Sequence, residues 1–189
     1  MVVARKPFDG TVEDNVLKHG TGALNMKETR IGDEELREFK RGTSVNTGFK
    51  SGGITEAKVG RHMSNVIVDE EVSRMIEKQH SGASKFYYVA KANPAERTVN
   101  GLIDNKHPTV KPIELMKILV KLTTMKGQTV LDMFAGTGTT LHAAQKLDRN
   151  FIGIEKDEVW ADVSRVRLGM EPNNKSNVYN SKASSLFDQ

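Results

Sequence analysis

A glycine-containing loop at residues 132–140 has the residue types of a ligand-binding turn. Its sequence is Asp-Met-Phe-Ala-Gly-Thr-Gly-Thr-Thr, and it joins a predicted strand to a predicted helix. Glycines at such a turn let the backbone approach a ligand closely. Glu155 follows Gly136 by 19 residues, at the end of the next predicted strand. An acid at this separation commonly binds ribose hydroxyls, so the pair predicts a nucleoside ligand.

The spacing of the glycines narrows the class of ligand. Gly136 and Gly138 do not complete the three-glycine fingerprint of dinucleotide sites, and the sequence has no Gly-Lys-Ser/Thr loop for phosphate. A nucleoside without a pyrophosphate is therefore favoured over NAD or ATP. A tight strand-to-helix turn without any ligand would explain Gly136 by itself. It explains the combination of the glycine loop with Glu155 less well.

The elements that must position this loop alternate along the second half of the chain. Apolar residues recur at helical spacing after Pro112, whose missing N–H costs nothing at a helix start. Strands that alternate with helices predict a parallel sheet in an α/β fold. The predicted elements are a helix at 113–122, a buried strand at 129–131, a helix at 139–147, a strand at 151–154 and a helix at 157–168.

The first hundred residues carry weaker signals. Residues 10–60 are polar and rich in glycine, and they predict loops with a short helix. They show little sustained periodicity apart from a charged patch at 33–41. Short strands are predicted at 2–4 and 86–90. Asp69 is expected to cap a helix at 70–78, with Val72, Met75 and Ile76 facing inward.

Composition indicates a folded protein of a reducing compartment. Lys and Arg outnumber Asp and Glu by 28 to 24, a net charge of +4 that is compatible with a polyanionic partner. The absence of cysteine excludes disulfides and thiolate metal sites, and the scattered histidines lack ligand spacing, so no metal is expected. No window predicts a membrane span or a signal peptide, which favours a cytoplasmic location.

Three motifs together resemble the beta-type DNA amino-methyltransferases, which modify adenine N6 or cytosine N4. These are His-Pro-Thr-Val-Lys-Pro at 107–112, the glycine loop, and Phe-Ile-Gly-Ile-Glu at 151–155. Softer matches upstream are similar to phage and prophage members, so the resemblance covers the chain from Met1 to about Leu168. The softer matches are at 15–17, 20–25, 60–71, 90–92 and 96–97.

The resemblance implies an incomplete Rossmann-like fold that binds S-adenosylmethionine. Glu155 would hold the ribose, the start of the helix at Thr139 and Thr140 would face the methionine carboxylate, and Lys111 would pair with that carboxylate. Family members usually have proline at the position of Met133. The implied cofactor-binding residues are His107, Thr109, Lys111, Pro112, Asp132, Phe134, Ala135, Gly136, Thr137, Gly138, Thr139, Thr140 and Glu155.

The catalytic motif of the family is not found in these 189 residues. That motif, Asp/Asn/Ser-Pro-Pro-aromatic, holds the target amino group and stacks on the flipped base. The five prolines of this chain are never adjacent, so no catalytic residue is assigned. The expected divisions are 1–100, with partial catalytic-domain strands and target recognition; 101–170, the cofactor-binding region; and 171–189, a disordered tail.

Two functions remain open at this point. The first is a portion of a DNA methyltransferase whose partners are double-stranded DNA and either a complementary chain with the catalytic motif or a second copy of itself. Such a chain would be a fragment, a split-gene subunit or a decayed remnant. The second is a module that binds S-adenosylmethionine or DNA without turnover. An unrelated adenosine-binding α/β protein would leave residues 107–112 unexplained.

Overall fold

The computed structural model describes residues 4–36, 58–62, 64, 66–87, 91–175 and 178. The chain divides into two compact units. The first joins Met1–Glu28 to Val89–Gln189, and the second is Thr29–Tyr88. The expected boundary near residue 100 therefore differs from the observed division, in which the first 28 residues belong with the C-terminal half. Within the described residues no helix has the length and apolar composition needed to cross a membrane.

The second unit contains an antiparallel strand pair where loops were predicted. Strand β1, Arg30–Leu36, pairs with strand β2, Lys58–His62, and the register shifts between Ile31 and Glu35. Gly60 has a φ of +71°, and a Cβ there would lie 2.5 Å from the carbonyl oxygen of Gly32. Part of the charged patch at 33–41 is thus a strand, and the short helix of this region lies elsewhere, in the first unit.

A helix follows the strand pair, as predicted. It spans Glu70–Gln79, and the Asp69 side chain accepts a hydrogen bond from the Val72 N–H. The expected orientation is wrong for Val72 and Met75, which are 41% and 56% exposed, whereas Ile76 is partly buried and Ser73 is buried. The predicted strand at 86–90 is replaced in its described part by a short 3₁₀ turn over Ser84–Phe86; residues 88–90 lie outside the described part.

The first unit begins with a helix over Val12–His19. A reciprocal cap starts this helix, because the Thr11 hydroxyl accepts the Asp14 N–H and the Asp14 carboxylate accepts the Thr11 N–H. Gly20, at φ +69°, ends it in the left-handed conformation. The predicted strand at 2–4 falls largely outside the described residues.

The second half of the chain forms the predicted parallel α/β unit. Strand β3, Thr129–Asp132, pairs in parallel with strand β4, Asn150–Gly153. Three of the four described helices of this half match their predicted bounds within about two residues and confirm the α/β class, whereas the short helix Pro94–Thr98 was not predicted. The described α-helices are numbered in chain order. They are α1, Val12–His19; α2, Glu70–Gln79; α3, Pro94–Thr98; α4, Ile113–Thr123; α5, Thr139–Lys146; and α6, Glu158–Arg167.

Only one side of this strand pair is covered by described residues. Val130 packs with Ile113, Val120 and Ala143 of α4 and α5 in a small core. The predicted burial of β3 is wrong for the other side, where Leu131 is 57% exposed. We call this side the open sheet face; its exposed apolar residues are Leu131, Met133, Ile152 and Ile154.

A second small core involves α6 and part of the C-terminal tail. Val178 is 2% exposed and packs with Ile103, Val163 and Val166. The Asp162 carboxylate accepts the N–H groups of residues 173 and 174 at 2.8 and 2.9 Å. The structure therefore differs from the expected disorder at residues 171–175 and 178, which pack within the first unit.

Candidate functional site

The glycine loop between β3 and α5 has two left-handed glycines with different surroundings. Gly136 has a φ of +52°, and a Cβ there would lie 3.6 Å from His107 Nε2, an ordinary contact. Gly138 has a φ of +73°, and a Cβ there would collide with the Ser164 hydroxyl of α6. Gly136 therefore leaves space on the open side of the loop, whereas Gly138 allows the loop to pack on α6.

Glu155 connects the loop to the end of strand β4. Its Oε2 accepts the Gly136 N–H at 2.7 Å, and its Oε1 accepts the Asp157 N–H at 3.0 Å. The backbone supports the same arrangement, since the Ala135 N–H donates to the Ile154 carbonyl at 2.9 Å. A carboxylate has about four acceptor positions, so two remain for the hydroxyl groups of a ligand.

The segment at 107–112 is held by residues of helix α3. The Arg97 guanidinium donates to the His107 carbonyl at 2.9 Å, and the Glu96 carboxylate accepts the Ile113 N–H at 2.7 Å. Pro112 is the N-cap of α4 and offers no side-chain acceptor, so Glu96 supplies the missing cap from a distant part of the chain. These two bonds give the Glu96-Arg97 pair a defined structural role.

His107 is fixed at the loop by three contacts. Its N–H donates to the Asn105 Oδ1, its Nδ1 accepts the Thr109 N–H, and its ring meets Trp160 edge-on at 4.9 Å between centroids. With Nδ1 acting as an acceptor, the neutral ring carries its proton on Nε2, which faces Gly136. His107 thus presents a donor toward the glycine loop.

A cleft of about 690 Å³ lies between the glycine loop, residues 107–111 and helix α4. We call it the loop cleft. Its volume is in the range of pockets that bind small cofactors. Eleven of the thirteen predicted residues line it: His107, Thr109, Lys111, Asp132, Phe134, Ala135, Gly136, Thr137, Thr139, Thr140 and Glu155.

The two other predicted residues lie beside the cleft. Pro112 is the N-cap of α4. Gly138 is the N-cap of α5, and a Cβ on it would meet the Ser164 side chain. The cleft also has an apolar wall that the sequence analysis did not predict. Leu115, Met116 and Leu119 recur at helical spacing, a pattern that does not separate a core face from a cleft face. The wall consists of Val110, Leu115, Met116 and Leu119.

The lining of the cleft combines charges of both signs. It contains the Glu155 carboxylate together with Lys111 and the first turn of α5. The N–H groups at a helix start carry a partial positive charge and bind anions. The loop cleft therefore has groups that suit a ligand with both hydroxyl groups and a carboxylate.

Comparison with known proteins gives one family match over most of the chain. The model of the N6_N4_Mtase family, described as DNA methylase, matches residues 18–165. The Type II methyltransferase M.HindIII of Haemophilus influenzae is 52% identical over 68 residues, 36% of this chain and 22% of that protein. The Type II methyltransferase M2.DpnII of Streptococcus pneumoniae is 41% identical over 66 residues, 35% of this chain and 25% of that protein.

Solved structures give partial matches. The M1.HpyAVI–SAM complex is 34% identical and has a TM-score of 0.39, with 44% of this chain and 38% of that chain covered. The cytosine-N4-specific PvuII DNA methyltransferase is 22% identical with the same TM-score, over 57% of this chain and 38% of that chain. The matched segments span about a quarter of the length of the curated relatives.

Proposed function

We propose, from the premise that this chain belongs to the N6/N4 DNA methylase family, that its loop cleft binds S-adenosylmethionine. The chain would supply the cofactor-binding portion of a DNA amino-methyltransferase acting on adenine N6 or cytosine N4. The observation that carries this proposal is the convergence of Glu155, Lys111 and the start of α5 on one cleft. S-adenosylmethionine combines a ribose with a methionine carboxylate, the two groups that these residues suit.

The ribose end fits a nucleoside through Glu155. Its two oxygens each accept one backbone N–H, which fixes the carboxylate and leaves acceptor positions for the ribose hydroxyls. Gly136 keeps the loop backbone open at this end, and Asp132 is oriented by the bond from the Phe134 N–H to its Oδ1. The apolar wall of α4 would exclude water from the remainder of the ligand.

The methionine end fits a carboxylate through Lys111 and α5. Thr139 and Thr140 form the first turn of that helix and line the cleft. The helix start and the Lys111 ammonium would both favour a negative charge there. When bound, the cofactor supplies an electrophilic methyl group, and the residues of the chain orient it and exclude water.

We propose that methyl transfer requires a further segment that holds the target base. The chain has no pair of adjacent prolines, so its sequence does not contain the Pro-Pro-aromatic motif that holds and stacks on an extruded base. Double-stranded DNA would be the substrate of the assembled enzyme. A complementary polypeptide that carries the motif would supply this segment.

Isothermal titration of the full chain with S-adenosylmethionine tests the proposal. We expect one site per chain in the wild type. Glu155→Ala should weaken binding by about 1 to 3 kcal/mol, roughly 5- to 150-fold in Kd, because the ribose hydroxyls lose their acceptor. Glu158→Ala is the matched control, since this acid begins α6 and does not line the cleft. Absence of binding to the wild type, or equal effects of the two substitutions, would refute the assignment.

A further inference from the structure

Arg167, the last residue of α6, holds the glycine loop from its buried side. Arg167 is buried, with 4% of its surface exposed. Its Nη1 donates to the Thr137 carbonyl at 2.7 Å, to the Thr137 hydroxyl at 3.0 Å and to the Thr139 hydroxyl at 2.9 Å. One guanidinium nitrogen thus fixes the residues on both sides of Gly138.

The same face of α6 contacts the loop a second time. Ser164 precedes Arg167 by three residues, so the two side chains lie on one face of the helix. The Ser164 side chain fills the space that a Cβ on Gly138 would need. Together, Ser164 and Arg167 fix three consecutive loop residues, and the outer two, Thr137 and Thr139, line the loop cleft.

The rest of the Arg167 side chain is incompletely paired. Its Nε and Nη2 are buried and have no hydrogen-bond partner among the described residues. Burial lowers the pKa of Arg167, and the negative charge of Glu96 opposes that effect. A buried cation without a hydrogen-bonded acid is unfavourable for stability. Such an arrangement indicates a role other than packing, because an apolar residue would fill the same space at lower cost.

We propose that Arg167 is a positioning residue for the cofactor, which fixes Thr137 and Thr139 in the conformation that receives the methionine end of the ligand. The inference rests on the proposed function of the loop cleft. These bonds fix the start of α5 before the ligand arrives, so less order has to be gained on binding. The positive charge behind the loop adds to the attraction for a carboxylate.

Two substitutions separate the bonds from the charge. Arg167→Met removes both, and we expect it to weaken the binding of S-adenosylmethionine at least tenfold. Arg167→Lys keeps the charge but can reach fewer of the three acceptors, so its Kd should fall between those of the wild type and the Met variant. Amide signals of residues 136–140 in a two-dimensional NMR spectrum without ligand should shift in both variants, because the loop loses its anchor.

Arg149 provides a control for a purely structural effect. It is also 4% exposed and lies in the same unit, where it pairs with Glu28 at 2.8 Å and with the Thr124 carbonyl at 3.0 Å, and it does not line the loop cleft. Arg149→Met should lower the melting temperature without changing the Kd or the amide signals of the glycine loop.

Each outcome decides the inference. Unchanged affinity and unchanged loop signals in folded Arg167→Met would overturn it, and so would an equal loss of affinity in Arg149→Met. If Arg167→Met does not fold, Arg167→Lys carries the test, and wild-type affinity together with wild-type loop signals in that variant would overturn it. If the wild type binds no S-adenosylmethionine, the proposed function fails, while the loop signals still show whether Arg167 positions the loop.

Discussion

At the scale of single residues, the two glycines of the loop have separate roles. Gly138 is required by the packing of α6, and Gly136 borders the cleft. The sequence pattern treats them as equivalent, because both belong to one Gly-Thr-Gly turn. The distinction depends on Ser164, which lies 26 positions further along the chain and contacts the loop only in the folded protein.

We expect Gly138→Ala to destabilise the protein by about 2 to 4 kcal/mol, because it combines a left-handed φ with a collision at Ser164. Gly136→Ala should cost only about 1 kcal/mol of stability, since its Cβ meets His107 at an ordinary distance. Gly136→Val should additionally weaken S-adenosylmethionine binding by intruding into the cleft. Urea unfolding and calorimetric titration measure the two effects separately. Equal loss of stability in both alanine variants would contradict the distinction.

His142 makes stability depend on pH. Burial, together with the nearby charges of Lys146, Arg167 and Lys117, lowers its pKa from 6.5 to about 4. Between these two pH values the unfolded chain binds more protons than the folded one. The stability contributed by the neutral ring is therefore complete above pH 6.5 and is lost as the pH falls toward 4.

We expect unfolding free energies measured in urea to fall by about 1 kcal/mol from this group between pH 7 and pH 4.5, after allowance for the half-exposed ring. His142→Leu cannot be protonated and should show a smaller fall over the same interval. Burial raises the pKa of Asp162, but the N–H groups of residues 173 and 174 and the Arg165 side chain outweigh it and hold the pKa below its ordinary value, so the contribution of Asp162 is lost at a lower pH. An identical pH profile in the variant would show that His142 is not the titrating group.

At the scale of helices and strands, helix α4 depends on a cap that comes from outside it. Glu96 accepts the Ile113 N–H and thereby joins α3 to the end of the His-Pro-Thr-Val-Lys-Pro segment. Glu96→Ala should cost about 1 kcal/mol of stability and weaken ligand binding through disorder near Lys111. Glu96→Gln retains an acceptor oxygen and should be milder.

Glu114→Ala is the control for this substitution, because it also removes an acid near the start of α4. Its carboxylate pairs with Lys117 at 2.6 Å and is largely exposed, so its loss should change stability by less than about 0.5 kcal/mol. Thermal unfolding followed by circular dichroism measures both variants. If Glu114→Ala is as destabilising as Glu96→Ala, the cap is not the cause.

The sequence predicted some of these elements well and others poorly, for physical reasons. Helices α4 to α6 and strands β3 and β4 have strong apolar periodicity or local caps, so their existence and approximate ends could be predicted. Helix α1 has no buried residue among its eight, and its apolar signal is correspondingly weak, although Thr11 and Asp14 form a readable cap. Strand β1 contains consecutive acids, which disfavour strands, and its partner β2 lies more than 20 residues away.

The candidate site was predictable where a local motif carries it. Eleven predicted residues line the loop cleft because the three motifs meet at the ends of β3 and β4. Arg167 was not predictable, since an arginine at the end of a helix is usually explained by the helix dipole and solvent. Its contacts with Thr137 and Thr139 span about 30 positions of sequence and depend on tertiary packing.

At the scale of the whole molecule, the open sheet face has consequences for assembly. Its four apolar side chains, Leu131, Met133, Ile152 and Ile154, are each more than half exposed among the described residues. Exposed apolar strand residues favour association with another chain. We expect the isolated protein to self-associate or to require a complementary chain. Multi-angle light scattering should give a mass above 21.0 kDa, and Leu131→Gln with Ile152→Thr should lower it.

We also expect the chain by itself not to methylate DNA. Without the acceptors that orient the target amino group, the preorganisation that accelerates transfer is lost even if cofactor and DNA bind. A tritiated-methyl transfer assay should detect product only when a segment with the Pro-Pro-aromatic motif is co-expressed. A monomer that transfers methyl groups unaided would contradict both expectations.

The ion pair between Arg149 and Glu28 also has a consequence for folding during translation. The two residues are 121 positions apart, and both belong to the same unit. At about 5 to 20 residues per second, translation needs roughly 6 to 24 seconds to reach Arg149 after Glu28 is made. Throughout that interval the nascent N-terminal segment lacks its anchor, which leaves it open to chaperones and proteases until the second half of its own unit emerges.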